Sequence, residues 1–163
     1  RVDVDAVLAH PRFGKLLERT LSGLEGKPAP PVQAARLDGA AFDPASLAGR
    51  AHVVYFWFSN CPPCMQTAPV LAELAQGRSV PVVAVNADAA LDLGTSDADL
   101  LAYTAKLKPF THVRGTAALL EAYGGVSVYP TLFFVDKQGM VVRQSVNRQD
   151  RAALDAALAA ALD

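Results

Sequence analysis

The spacing of apolar residues changes character several times along the chain, and each change predicts a different element. Over residues 3 to 24, Phe13, Leu16, Leu17, Leu21 and Leu24 recur at helical intervals, with Lys15, Glu18, Arg19 and Glu25 on other faces. This predicts an amphipathic helix starting near Pro11, a residue tolerated in a first turn. Its apolar stripe is expected to pack on its own domain or, alternatively, to make a dimer or partner contact. Gly26, Pro28, Pro30 and Pro31 then end the helix and predict a short extended linker.

From Val32 the pattern turns to strands and turns. Val32 to Leu37 predicts a short strand, Asp38-Gly39 a hairpin turn, Phe42 the start of a second extended piece, and Ser46 to Gly49 another turn. His52 to Phe58 is a continuous apolar run rich in valine and aromatics, as expected of a central strand covered on both faces. A helix follows from Pro62 to about Gln76, with Val70, Leu71 and Leu74 facing inward and Pro69 expected to kink it. Val80 to Asn86 predicts a second strand, and the β-α-β order implies parallel pairing through a right-handed crossover.

Leu91 to Thr95 reads as loop, followed by a helix over Ser96 to Leu107 capped by Ser96 with Asp99 three residues on. Thr111 to Arg114 predicts a short strand, and Thr116 to Tyr123 a short helix closed by Gly124-Gly125. Thr131 to Asp136 and Met140 to Val146 flank Lys137-Gln138-Gly139, the pattern of a hairpin. Asn147 with Asp150 predicts the start of a last helix, Arg148 to Leu162, with a narrow face of Leu154, Leu158 and alanines.

Composition sets the scale. A chain of 163 residues that is 52% hydrophobic fits one domain with a proper core. A formal net charge of -1 advertises neither nucleic acid nor an anionic membrane surface as a partner. No apolar run approaches the length of a membrane span. The chain begins at Arg1 rather than methionine, so a signal or membrane tether upstream of Arg1 is one expectation.

Chemistry concentrates at one place. The only two cysteines, Cys61 and Cys64, stand in a C-P-P-C run where the buried strand hands over to a helix. One helical turn brings the two sulfurs together. The junction leaves Cys61 at the helix N-terminus, where unpaired amides and the dipole favour a thiolate. Cys61 is therefore the candidate nucleophile, and Cys64, one turn further in and expected to be more buried, the resolving cysteine. Zinc wants about four ligands, and His10, His52 and His112 are scattered, so no metal site is assigned. A purely structural disulfide over so short a loop would remove little unfolded-state entropy. Pro62 and Pro63 restrict the turn and withdraw amide donors that would otherwise face the thiolate.

Several separate motifs occur in an order that resembles the TlpA/ResA-like branch of the thioredoxin superfamily. They are Gly26-Lys27-Pro28-Ala29-Pro30, the Ser46-Leu47-Ala48-Gly49-Arg50 turn, Phe56-Trp57 with Cys61 to Cys64, Tyr123-Gly124-Gly125-Val126, and Tyr129-Pro130-Thr131 with Asp136 to Gly139. The resemblance implies an α/β thioredoxin-like fold, a central mixed sheet flanked by helices. It covers residues 26–163, with residues 1–25 as an N-terminal helix extension. It also implies a thiol-disulfide oxidoreductase of the protein-disulfide reductase type, needing no cofactor beyond its own cysteines. Its expected partners are protein thiol or disulfide substrates and an upstream electron donor, in a periplasmic or extracytoplasmic setting, free or anchored to the inner membrane. Weak self-association through the N-terminal helix is a further expectation.

The resemblance also assigns residues. Pro130 is expected to follow a cis peptide bond beside the disulfide and to expose the backbone of Tyr129 for pairing with an extended substrate. Trp57, four positions before Cys61, is expected either at the substrate site or simply in the core. One departure stands out. Many members of the family it resembles place an acidic residue six positions before the first cysteine or three after the second, whereas this chain has Tyr55 and Thr67 there. A phenol with a pKa near 10 is a poor base at neutral pH, so proton transfer at Cys64 needs water or another carboxylate. A different class of function is a copper(I)-binding or chaperone-like module using Cys61, Cys64 and Met65, although Met65 is equally explained by packing. A thiol peroxidase would need a lone cysteine in a polar pocket, which the C-x-x-C context does not offer.

Overall fold

The computed structural model describes residues 23–163 other than Lys106 and Lys108. The predicted N-terminal helix therefore lies almost entirely outside the described residues. Five strands form one sheet: β1 (His52–Trp57), β2 (Val82–Asn86), β3 (Thr111–Arg114), β4 (Thr131–Val135) and β5 (Val141–Val146), in the order β3-β2-β1-β4-β5. β1, β2 and β3 run parallel, while β4 is antiparallel to β1 and β5 antiparallel to β4. The helices are α1 (Pro62–Gly77), α2 (Asp97–Thr104), α3 (Ala117–Ala122) and α4 (Arg151–Leu162), with a 3-10 turn at Pro44–Leu47 capped by Asp43. This is the expected thioredoxin-like architecture, a mixed sheet flanked by helices.

Alternation along the strands sends residues to two cores. Val53, Tyr55 and Trp57 of β1 join Leu132 and Phe134 of β4 beneath α1, α2 and α4. Val54 and Phe56 join Phe133, Val135 and Val113 beneath α3 on the opposite face. Every residue of β1, β2 and β4 is buried, which explains why their sequences read as unbroken apolar runs rather than as alternation.

Several boundaries differ from expectation for physical reasons. On α1 the buried face is Cys64, Thr67, Ala68, Leu71 and Ala75, while Val70 and Leu74 are only half-buried at its margin. α2 stops at Thr104 rather than Leu107; Pro109 follows shortly and cannot return an amide hydrogen bond to the turn. α4 starts at Arg151 with Asp150 as its cap, the carboxylate accepting from the Ala153 amide at 2.8 Å. Asn147 does not begin this helix: its φ is 64°, outside the helical region, and its amide donates to the Pro130 carbonyl at 2.8 Å.

Two predicted extended segments also change role. The supposed strand over Val32 to Leu37 is reduced to two bridges, Ala35 with Ala41 and Arg36 with Val113, the second lying along the β3 edge. The proline-rich linker is tied down rather than free: the Gly26 amide bonds to Val141 O and Ala29 to Gly139 O, both at 2.8 Å, and Pro28 bridges Met140. Near the carboxyl ends of the parallel strands, Gly115 permits a close approach, since a Cβ there would sit 2.6 Å from the Asn86 carbonyl oxygen. That contact draws the end of β3 against the end of β2, beside the turn that leads into α1.

Candidate active site

The local sequence explains how Cys61 is presented. As the N-cap of α1 it is extended, with φ -95° and ψ 104°. Pro62 and Pro63 occupy the next two positions and have no amide hydrogen, so the first available donor on the helix is the Cys64 amide. It points at Cys61 Sγ from 3.3 Å. That donor and the aligned helix dipole stabilise negative charge on this sulfur. Cys61 and Cys64 are joined as a disulfide, with their Cα atoms 5.2 Å apart.

The two sulfurs differ less in exposure than in neighbours. Cys61 is 2% and Cys64 1% exposed. Both belong to the same core cluster, but Cys61 Sγ is the sulfur that caps the helix and lies 3.9 Å from the Tyr129 carbonyl oxygen, beside exposed Pro62, whereas Cys64 sits within the first turn on the buried face of α1. The Tyr129-Pro130 peptide bond is cis. Its loop is anchored from three directions. Tyr129 Oη donates to Val126 O at 3.2 Å, Thr131 Oγ1 donates to Val128 O at 2.6 Å, and the Tyr129 ring meets Phe58 edge-to-face at 5.3 Å. Burial pushes the Tyr129 phenol up to about 12, so it stays neutral and a donor over the working range.

Beneath the disulfide stand Tyr55 and Thr67, at the positions where the resemblance leads one to expect an acid. Tyr55 Oη donates to the Cys64 carbonyl at 3.0 Å, and burial, with a smaller contribution from Tyr103, pushes its phenol far up. Tyr55 is thus a fixed strut under the helix rather than a base. Thr67 is buried one turn beyond Cys64, and its Oγ1 has no hydrogen-bond partner among the described residues. Trp57 is 1% exposed and stacks on Tyr103 with centroids 5.3 Å apart; its Nε1 likewise lacks a partner. The structure therefore places Cys61, Cys64, Pro62, Pro63, Tyr129 and Pro130 around one point, with Trp57 behind them in the core.

Asp88, just beyond β2, was not singled out by the sequence. It is 1% exposed, and its carboxylate accepts from the Ser59 amide at 2.8 Å, from the Ser59 hydroxyl, from Thr95 Oγ1 at 2.7 Å and from Asn86 Nδ2 at 3.0 Å. Burial alone would raise its pKa, but the Ser59, Thr95 and Asn86 donors together hold it below the ordinary carboxylate range. The cluster pins the turn that delivers Cys61, including Asn60 at φ 58°, to the end of the sheet. The signal in sequence was weak: an Asn-x-Asp after a strand, with partners 29 and 7 residues away. His52 begins β1 with Nδ1 donating to Arg50 O at 2.9 Å, and His112 lies on β3; neither joins the cysteines. Among the described residues no three His, Cys, Asp or Glu side chains converge to hold a metal ion.

Comparison with known proteins agrees with this geometry. The family model for Redoxin matches residues 24–159. The thiol-disulfide oxidoreductase ResA of Bacillus anthracis is 29% identical over 133 residues, 80% of this chain and 74% of the relative. The soluble secreted antigen MPT53 of Mycobacterium tuberculosis is 30% identical over 106 residues, 65% of this chain and 59% of the relative. Among solved structures, a putative thiol:disulfide interchange protein DsbE from Chlorobium tepidum superposes with a TM-score of 0.70 at 28% identity, covering 84% of this chain and 96% of that one. With a helix-capping C-P-P-C disulfide at the carboxyl end of β1 and these relatives, the chain belongs to the Redoxin family, as a TlpA/ResA-like thiol-disulfide oxidoreductase.

Proposed function

We propose that the protein reduces disulfides in other proteins through a mixed disulfide at Cys61, in an extracytoplasmic compartment and in the service of cytochrome c or copper-site maturation. The observation that carries this reading is the asymmetry of the pair: Cys61 Sγ caps the helix, accepting the Cys64 amide at 3.3 Å, and is the sulfur beside the Tyr129 carbonyl, whereas Cys64 lies on the buried face of α1. In the reduced form, the Cys61 thiolate attacks a substrate disulfide, forming an S–S bond to one substrate sulfur while the other leaves as thiolate and takes a proton. Cys64, deprotonated, then attacks Cys61 Sγ, closing the internal disulfide and releasing the second substrate thiolate. The substrate gains two electrons and two protons, and an upstream dithiol donor restores the Cys61–Cys64 pair.

Further roles follow in the same reading. The Tyr129 carbonyl accepts a backbone amide of the substrate strand, with Pro130 fixing its direction, while Pro62 and Pro63 form the rim. Trp57 acts from behind by packing under the site. A secreted relative supports the compartment, and no helix among the described residues is long and apolar enough to cross a membrane. Residues 1–25 are an extension to the 26–163 domain, suited to tethering or weak self-association.

A Cys64→Ser variant tests the exchange role, because it should accumulate partners as mixed disulfides at Cys61. A reduction potential near that of thioredoxin, about -270 mV, would support reductant work. A value toward about -120 mV would overturn the direction.

A further inference from the structure

Between α1 and α2 runs an open groove of about 500 Å³, lined chiefly by Met65, Pro69, Ala72, Ala102, Tyr103 and Leu107. Met65 and Tyr103 also line a second cleft that begins at Asn60 and Pro62, the residues on either side of Cys61. The two clefts share Met65 and Tyr103, so the apolar groove continues, past the amide of Gln66, to the residues that flank Cys61. Its floor is firm, because Tyr103 is stacked on the buried Trp57 ring and Ala68 is part of the core. None of the described residues lining the α1–α2 groove is charged. A channel of this kind favours an aliphatic or aromatic side chain over a charged one.

We propose that this groove receives an apolar side chain of the protein substrate, located two to five residues from the substrate cysteine. The proposal rests on the reading that the substrate is a protein, and continuity with the reacting site selects that occupant over others: whatever bonds to Cys61 must leave its chain at the mouth of the channel. Reach sets the spacing. From Pro62 to Ala72 the helix rises about 15 Å at about 1.5 Å per residue. An extended substrate strand covers that in four to five residues at about 3.3 Å each, and reaches Met65 in about two. Thus the Tyr129 carbonyl would read the substrate backbone without regard to sequence, and the groove would add preference among cysteine sites.

The test uses symmetrical peptide disulfides, uncharged apart from their termini, with either leucine or serine at each of the second to fifth positions from the cysteine. A small neutral disulfide, bis(2-hydroxyethyl) disulfide, serves as the control. Second-order rate constants for oxidation of the reduced protein are read by acid quench and thiol alkylation. The best leucine peptide should react about tenfold faster than its serine counterpart, consistent with burial of one apolar side chain. Ala102→Glu on the exposed wall and, independently, Ala72→Gln on the opposite wall should abolish that preference while leaving the rate with the small disulfide unchanged within about twofold.

Equal rates for leucine and serine peptides at every position would overturn the groove assignment, as would variants that slow peptide and small disulfide alike. Oxidation by the small disulfide with no reaction of any peptide would instead overturn the protein-substrate reading. Dimerisation of the wild type that Ala102→Glu abolishes would assign the groove to a second copy of the chain and overturn the proposal.

Discussion

The two faces of the central sheet are built to different standards of completeness. On the face under α3, Phe56, Phe133 and Tyr123 form a cluster with ring centroids 4.9 to 5.8 Å apart. The one buried hydroxyl among them is satisfied, Tyr123 Oη donating to Pro30 O at 2.7 Å. On the face under α1, the same strands contribute Tyr55 and Trp57, and that side retains buried polar atoms without partners at Trp57 Nε1 and Thr67 Oγ1. A core that served only stability would favour apolar groups of the same shape at those places. The difference teaches that both faces bury a full apolar core, while the face carrying the disulfide also tolerates unpartnered polar groups in the same cluster as the cysteines.

Breaking the complete face should have the largest effect. Phe133→Ala removes a fully buried ring and should cost about 3–5 kcal/mol in urea unfolding, while the folded fraction keeps its exchange rate. Loss of exchange in fully folded protein would show that the two faces are not separable. Next is the clamp at the sheet end. Asp88→Ala should cost about 2–3 kcal/mol by leaving the Ser59 amide and its neighbours without an acceptor. It should also slow exchange with small disulfides, whereas Asp88→Asn, which keeps one acceptor oxygen, should recover most of the rate. Equal rates in wild type and Asp88→Ala would show that the Ser59–Asn60 turn holds Cys61 without the carboxylate.

A matched pair of smaller changes sharpens the contrast directly. Tyr123→Phe should destabilise by about 1 kcal/mol because it deletes a made hydrogen bond. Thr67→Val should be neutral or stabilising by up to about 1 kcal/mol, since the hydroxyl it deletes has no partner in the fold. If both changes destabilise equally, the two faces are equally complete.

The smallest effect is on pH dependence. Burial lowers the pKa of His52 and His112 despite hydrogen bonds to Arg50 O and Leu107 O that act the other way. The unfolded chain therefore binds more protons, so the stabilisation is full above the unfolded value of about 6.5 and is lost as pH falls from there through the folded values. Denaturant midpoints should decline between pH 7 and 5, and His52→Gln should flatten part of that slope. A slope unchanged by the substitution would assign it elsewhere.

Much of the site was legible because it is local. The C-P-P-C run fixes a capped helix start within four residues, and the caps at Ser96 and Thr116 accept amides three residues on. The errors also have local causes. Asn147 looked like a cap because of its residue type, but its positive φ and its bond to Pro130 O place it in the proline loop, leaving the cap to Asp150. Hydrophobicity points Val70 and Leu74 inward, yet the buried face of α1 is Cys64, Thr67, Ala68, Leu71 and Ala75, with Val70 and Leu74 half-buried at its margin.

The sequence by itself determined the strands as apolar runs, the turns as glycine and proline signals, and the redox pair as two cysteines one helical turn apart. These features depend on periods of two to four residues, which a chain displays before it folds. Tertiary structure alone decided that Asp88 holds a turn 29 residues upstream, that Tyr103 closes over Trp57, and that α1 and α2 leave an apolar groove between Met65 and Leu107. Each of those depends on which elements pack together, and no local period records it.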